Sequence, residues 1–398
     1  MAYYNFSMSI INPIFAKDLK TILDVKMEII SILKYFDDPR RDHKKEHSLE
    51  VIFYITIAAV LAGAESWYDV EAFGKAKQDF FSRKIKGFQG VPSHDTFNRV
   101  FSLIKPDLLE RSFRVWIAEI CGKYKGVVPI DGKTICGAKE KRPDGSFSKL
   151  HIVSAWASAN GITLGQMKVE EKSNEITAIP ALIEALDLSE CIITIDAMGC
   201  QKKIVETIIE NNADYVICLK TNQEKLYEWV ENQFTQMDDP KKRLPPTRRQ
   251  TCTTENTGHG RTEKRVYDMY YNGSILCKEW AGLKSFIRVQ SYRRENATGK
   301  ETSETRYYIS SLGLDIQKAA NAIRTHWSIE NNLHWQMDVT FNEDATRKKK
   351  NAAINFSLIN KIALAAVKKD ESKGSLKGKR KRAGWDDDFL EKLLDIQF

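Results

Sequence analysis

The stretch VVPIDGKTICG (residues 127–137) decides between two folds. Its Gly132-Lys133-Thr134 segment matches the tail of a phosphate-binding loop, which would make the chain a nucleotide-binding protein. Such a loop needs a glycine five residues before the Gly-Lys pair, so that backbone N–H groups curl round an anion. Val127 stands there, Gly126 is one residue out of place, and Pro129 removes a donor from the would-be cradle. Asp131 would set a negative charge beside the anion. What remains is a carboxylate closing a β-branched, buried-looking strand, where an ionised group is costly unless something cationic pairs with it.

A second stretch repeats the pattern. CIITIDAMGCQKKI (191–204) shows a β-branched run, the acid Asp196, a small-residue turn and then a helix. Ligands of open α/β sheets gather outside the carboxyl ends of strands, so two such acids can meet without being close in sequence. Two like charges in one pocket repel unless a divalent cation neutralises both, and magnesium or manganese prefers carboxylate oxygens. Two unrelated, solvent-facing aspartates are the other reading of the same pattern. A third acid, Glu330, lies in RTHWSIENNLHWQMDV (324–339), on a helix beside the apolar Ile323 and Trp327. His326, Glu330 and His334 would share one helical stripe. A transition-metal site is disfavoured there by the absence of H-E-x-x-H spacing and of a nearby cysteine, which leaves hydrogen bonding or DNA contact for the histidines.

Around these acids the pattern changes several times. Helical periodicity runs from about 20 to 122, with Pro92-Ser93 as a helix start and an apolar stretch over 51–64 too short to span a membrane. Three strands follow, over VVPIDGKTICG, LHIVSAWAS and ITLGQMKVE, with Asn160-Gly161 as a turn. A helix over 177–185, the strand CIITID, a helix over 201–210 and the strand YVICL complete a mixed α/β sheet. From about 240 to 312 the chain reads as an inserted β module, and then as helices over 316–337 and 352–367. The basic stretch 368–382 reads as a flexible connector. The expected division is therefore a helical domain over 1–122, an α/β domain over 123–367 and a basic tail over 368–398.

At 398 residues there is room for two or three domains. The formal charge of +8, concentrated in Arg347-Lys348-Lys349-Lys350 and Lys377 to Arg382, favours a polyanionic partner, though a solvated charged surface has the same composition. Seven cysteines without a C-x-x-C pair argue against a disulfide framework and a zinc site, and fit a reducing cytosol. No secretory segment is visible, so a cytoplasmic, nucleoid-associated protein of bacterial type is expected.

IDGKT (130–134), EKSNEITAIP (171–180), TIDAMGCQKKI (194–204), GHGR (258–261), ETRYYISSL (304–312) and HWSIENNLHWQMDVTFNED (326–344) occur in this order. Together they resemble the DDE-type insertion-sequence transposases of the group containing the H-repeat-associated proteins. EHSLEVI (46–52) with PSHDTFNRVFS (92–102) resembles that group's helical segment, and KRKRAGWDDDFL (379–390) its tail. The resemblance implies an RNase H-like catalytic core, Asp131, Asp196 and Glu330 as an acidic triad, and a β-rich insertion between the second and third acids. The expected chemistry is metal-dependent cleavage of double-stranded DNA at element ends and strand transfer to target DNA, with two Mg²⁺ or Mn²⁺ ions about 3.5–4 Å apart. An oligomer on DNA is expected, because two ends must be paired. A catalytically inactive DNA-binding relic and a nuclease without strand joining are the alternatives.

Related transposases carry Tyr, Arg, Glu and Lys around the third acid. Here Ile323, His326, Glu330 and Met337 occupy those offsets, so only the acid is kept. DNA contacts then fall to other groups, for which Lys133, Arg261, Arg324, His326, Arg347 and Lys348 are the candidates. Lys133 has a second reading as an exposed, solubilising lysine, Gly258 to Arg261 as a plain hairpin turn, and the 368–382 charge run as a solvated linker.

Overall fold

Strand β1 (Val127–Lys141) is the hub of the molecule. It pairs antiparallel with β2 (Phe147–Ala157), which pairs with β3 (Ile162–Lys168), while its other edge lies parallel to β4 (Ile192–Ile195). β4 lies parallel to β5 (Asp214–Leu219). The structure, a computed structural model, describes residues 29–42, 45–170, 174–239, 241, 248–258, 260–271 and 279–395. Among these the sheet has nine strands in the order β3-β2-β1-β4-β5-β9-β8-β7-β6. The α/β class and mixed sheet expected from sequence are thus present. β6 (Arg249–Gly258), β7 (Arg261–Tyr271), β8 (Ser285–Glu295) and β9 (Glu301–Ser310) form an antiparallel meander, and β9 pairs with β5. The β-rich stretch therefore extends the central sheet. His259, in the tip between β6 and β7, lies outside the described residues.

The helical region begins with α1 (Leu49–Leu61), whose Ser48 hydroxyl accepts from the Val51 amide at 3.2 Å. Nearly all of α1 is buried, as an apolar run with little amphipathicity requires. α2 (Trp67–Ala76), α3 (Gln78–Lys84), α4 (His94–Leu103) and α5 (Pro106–Cys121) follow, with Ser93 capping α4 as the Pro-Ser signal predicts. Helix α6 (Glu175–Glu184) links β3 to β4, α7 (Lys202–Glu210) links β4 to β5, and α8 (Glu224–Met237) leads towards β6. The expected long helix over 316–337 is broken into α9 (Ile316–His326), a π-helical turn (Glu330–His334) and α10 (Trp335–Val339). The buried α11 (Lys350–Lys369) then packs against α1 and α4.

One apolar core joins the helical region to the sheet, containing Phe53 and Phe101 together with Leu358, Ile359, Val128 and Ile193. Buried Asn355 of α11 donates to the carbonyls of Phe101 and Ile104 at 2.8 and 2.9 Å, satisfying acceptors at the end of α4 that have no helical partner.

The stretch 368–382 is not a flexible connector. It includes most of α12 (Leu376–Trp385), which is followed by α13 (Asp387–Leu394), and both pack on α1. The charge run misleads because Lys379 and Arg380 within it are buried, while Lys377, Lys381 and Arg382 stay exposed. Buried Arg380 donates to the Val60 carbonyl at 2.8 Å and to that of Thr340, and lies 4.1 Å from the centre of the Phe341 ring. The fully buried carboxylate of Asp370 receives Lys379 at 3.1 Å and Lys392 at 2.7 Å.

Candidate active site

The parallel register pairs Ile130 with Ile195, the last residue of β4. The next residues of the two strands are Asp131 and Asp196, which therefore lie side by side at the strand spacing of about 4.8 Å. Asp131 is not at a strand end, as its sequence context implied, because β1 runs on for ten residues along β2. Only its β4 edge ends there, and this leaves a notch in the sheet. Strand alternation puts Asp131 on the face of Val127, which packs with Ile192, Val216 and α9. The opposite face, with Val128, Ile130 and Ile193, is covered by α6 and α7.

Glu330 comes to the α9 face at the start of the π-helical turn. A π turn places one extra residue in a helix and re-aims the side chains within it, a feature frequent at functional sites. His334, at the other end of that turn, puts Nδ1 3.5 Å from Asp131 Oδ2. Burial, with Lys361 and Lys133 adding to it, pushes His334 down to about 3, so the ring is neutral at pH 7. His326 is held at 3.0 Å by the Thr194 hydroxyl of β4 and pushed down to about 4 by burial. The structure thus gives His326 a hydrogen-bond partner inside the protein.

The three acids share one electrostatic neighbourhood. Burial raises Asp131 to about 7, and the charges of Glu175, Asp196 and Glu330 push the same way. Burial also raises Asp196, with Glu175 adding to it and the amides of Gly199 and Met198 opposing. Glu330 is raised by burial and by Asp196, against the pull of Arg306.

Glu175 was quoted within a motif, but sequence reading gave it no role. It opens α6 behind the Asn174 cap and accepts from His151 Nε2 at 2.7 Å, while His151 Nδ1 meets the Thr134 hydroxyl at 2.7 Å. A helix-start acid directly after a polar Ser-Asn pair carries no distinguishing signal, since acids are common there.

The candidate basic residues scatter. Arg261 and Arg324 line a cleft of about 660 Å³ that ends at Glu330, in company with Arg265, Arg293 and Arg306. The last three were missed, although Arg261, Glu263 and Arg265 show the period-two spacing of one strand face. Arg347 is exposed outside that cleft. Lys348 is turned inward, with Nζ on the Glu65 carbonyl at 2.6 Å and 3.5 Å from the centre of the Phe356 ring, so it is no surface contact. Lys133 does not stand free in solvent. Its side chain is 12% exposed and reaches Asp338 at 2.7 Å, Asp344 at 3.2 Å and Glu343 at 3.7 Å, tying β1 to the segment that follows Glu330.

The donor set suits a hard divalent cation: it is all carboxylate oxygen, burial raises each member, and a cation would offset the neighbouring negative charge that adds to it, from Glu175 on Asp196 and from Asp196 on Asp131 and Glu330. Among the described residues no group of three or more His, Cys, Asp or Glu side chains is placed so that it could hold a metal ion. No helix among them is long and apolar enough to cross a membrane.

Residues 123–367 match the family model described as Transposase DDE domain, and residues 30–117 the one described as DDE_Tnp_1-associated. The chain is 38% identical over 378 residues to "Putative transposase YncI" of Escherichia coli O157:H7, covering 92% of this chain and 95% of that one. It is also 38% identical to the "H repeat-associated putative transposase YhhI" of Escherichia coli (strain K12), over 92% and 97% of the two chains. A cryo-EM structure of a piggyBac transposase synaptic complex with hairpin DNA aligns at a TM-score of 0.39 and 14% identity, over 92% of this chain and 78% of that one, too distant to carry a conclusion.

Proposed function

The chain belongs to the DDE transposase family, and we propose that it cleaves DNA at the ends of an insertion element and joins the freed 3′ ends to target DNA. What supports this reading is that Asp131 and Asp196, far apart in sequence, directly follow the paired Ile130 and Ile195, and that Glu330, which bears on the charge of Asp131, lines a cleft carrying several arginines. Divalent cations of the Mg²⁺ or Mn²⁺ type, held by these three carboxylates, would supply the positive charge that favours the attacking oxygen and the leaving oxygen of an in-line displacement at phosphorus.

The protein's own residues bind and orient. Arg261, Arg324 and their neighbours neutralise the DNA backbone along the cleft and bring a phosphodiester to the acids. Neutral His334 steadies Asp131, and Lys133 fixes the strand that carries it. An oxygen of water, or of a DNA 3′-hydroxyl, forms the new bond to phosphorus as the bond to the leaving 3′-oxygen breaks, with no covalent protein intermediate. Pairing two ends implies an oligomer while DNA is bound.

The test incubates the purified chain with linear duplex DNA carrying the inverted repeats that flank its gene, in Mg²⁺, Mn²⁺ or EDTA. Cleavage is expected only with a cation, and the Asp131→Asn and Glu330→Gln variants are expected to lose at least about a hundredfold in rate. Cleavage in EDTA, or full activity in either variant, overturns the mechanism. DNA binding with no cleavage under any cation identifies an inactive relic.

A further inference from the structure

Asp131 and Asp196 face α9, and Glu175 of α6 comes up to β1 from the other side of the sheet. The point of contact is Gly132. A Cβ built on Gly132 would fall 2.1 Å from Glu175 Oε1 and 2.6 Å from His151 Nε2, so the carboxylate lies directly against the backbone next to Asp131. Any side chain at 132 would fill the space that Glu175 uses. His151 on β2 and Thr134 on β1 form a hydrogen-bonded chain ending on Glu175, which fixes where the carboxylate points. The Glu175 side chain is 13% exposed and, with His151, lines a cavity of about 490 Å³ on its side of β1.

We propose that Glu175 is a fourth carboxylate of the site, reaching the notch past Gly132 and aimed by His151, and that it holds a divalent cation together with Asp131 and Asp196. The inference rests on reading the pocket as a cation site. It divides labour among the acids. Glu175, Asp131 and Asp196 form the inner group, while exposed Glu330 stands at the mouth of the arginine-lined cleft, where DNA would arrive. His151 is a positioning residue, acting through Glu175.

The experiment titrates Mn²⁺ into the full chain without DNA, by calorimetry or by the electron-spin signal of free Mn²⁺. Wild type, D131N, E175Q, E175D, G132A and H151A are compared, with a melting curve for each in EDTA. E175Q and G132A are expected to weaken Mn²⁺ binding on the order of tenfold or more, as D131N does, and H151A by a smaller factor. E175D, which keeps the charge but shortens the arm, is expected to fall between wild type and E175Q. A structural role alone would lower the melting temperature in EDTA and leave the Mn²⁺ affinity of the folded fraction unchanged. E175Q binding within twofold of wild type while D131N is weakened overturns this inference and leaves the proposed function standing. Wild type binding no Mn²⁺ overturns the cation reading on which both rest.

Discussion

Asp131 shows at the scale of one residue how a site costs stability. Burial, with the charges of Glu175, Asp196 and Glu330 adding to it, pushes its carboxyl up from the usual carboxylate range to about 7 in the folded chain. The folded state therefore holds the proton more tightly than the unfolded one. The resulting penalty is absent below about pH 4, grows between about 4 and 7, and is complete above 7. Asp131→Asn is expected to raise stability by on the order of 2–4 kcal/mol at pH 8 in EDTA, and by little at pH 4. Melting curves at the two pH values check this, and a melting point lowered at pH 8 would contradict it. Added Mg²⁺ is expected to stabilise wild type and not the variant. Legibility at this scale follows context. Asp131 and Asp196 stand out because each ends a β-branched run, and Glu330 because it stands beside apolar residues on a helix. Glu175 lies in a polar stretch where an acid needs no explanation, and its importance comes from a contact with Gly132 that only the folded chain makes.

Among elements, the π-helical turn is the part that no periodicity announces. One additional residue leaves the apolar spacing before and after it intact, so 316–337 reads as a single helix until the chain is folded. Deleting the exposed Asn332 is expected to restore regular helix, keep the fold and displace His334 and Glu330 relative to Asp131. Cation-dependent cleavage should then fall by about a hundredfold or more, with circular dichroism unchanged. Undiminished cleavage would show that the turn does not aim the acid. The strands are legible wherever a β-branched apolar run marks a buried strand, as in β1 to β5. β6, with the sequence RQTCTTENTG at the sheet edge, has no such run, so the β module expected over 240–312 carries no signal for it as a separate strand. On β7 the arginines belong to the cleft, and their role is electrostatic. Replacing Arg261 and Arg324 together by alanine should lower the slope of log affinity against log salt by up to about 2 units. An unchanged slope would place the DNA elsewhere.

Across the whole molecule, charge content was legible and charge direction was not. Composition gives +8, yet Lys348, Lys361, Lys379 and Arg380 are buried, so part of the basic surplus is structural rather than a surface for DNA. Arg380→Ala removes a guanidinium that serves carbonyls on two separate segments, and is expected to cost on the order of 2–4 kcal/mol in urea unfolding. A loss under about 0.5 kcal/mol would show that water replaces it. The partner of Arg380 at the end of α1 is 320 positions earlier in the chain. A ribosome thus delivers the most apolar helix of the protein long before the residues that close over it. While synthesis continues, α1 has neither α11 nor α12 to cover it, which makes the nascent chain a client for chaperones and ties the appearance of folded enzyme to completion of its last helices.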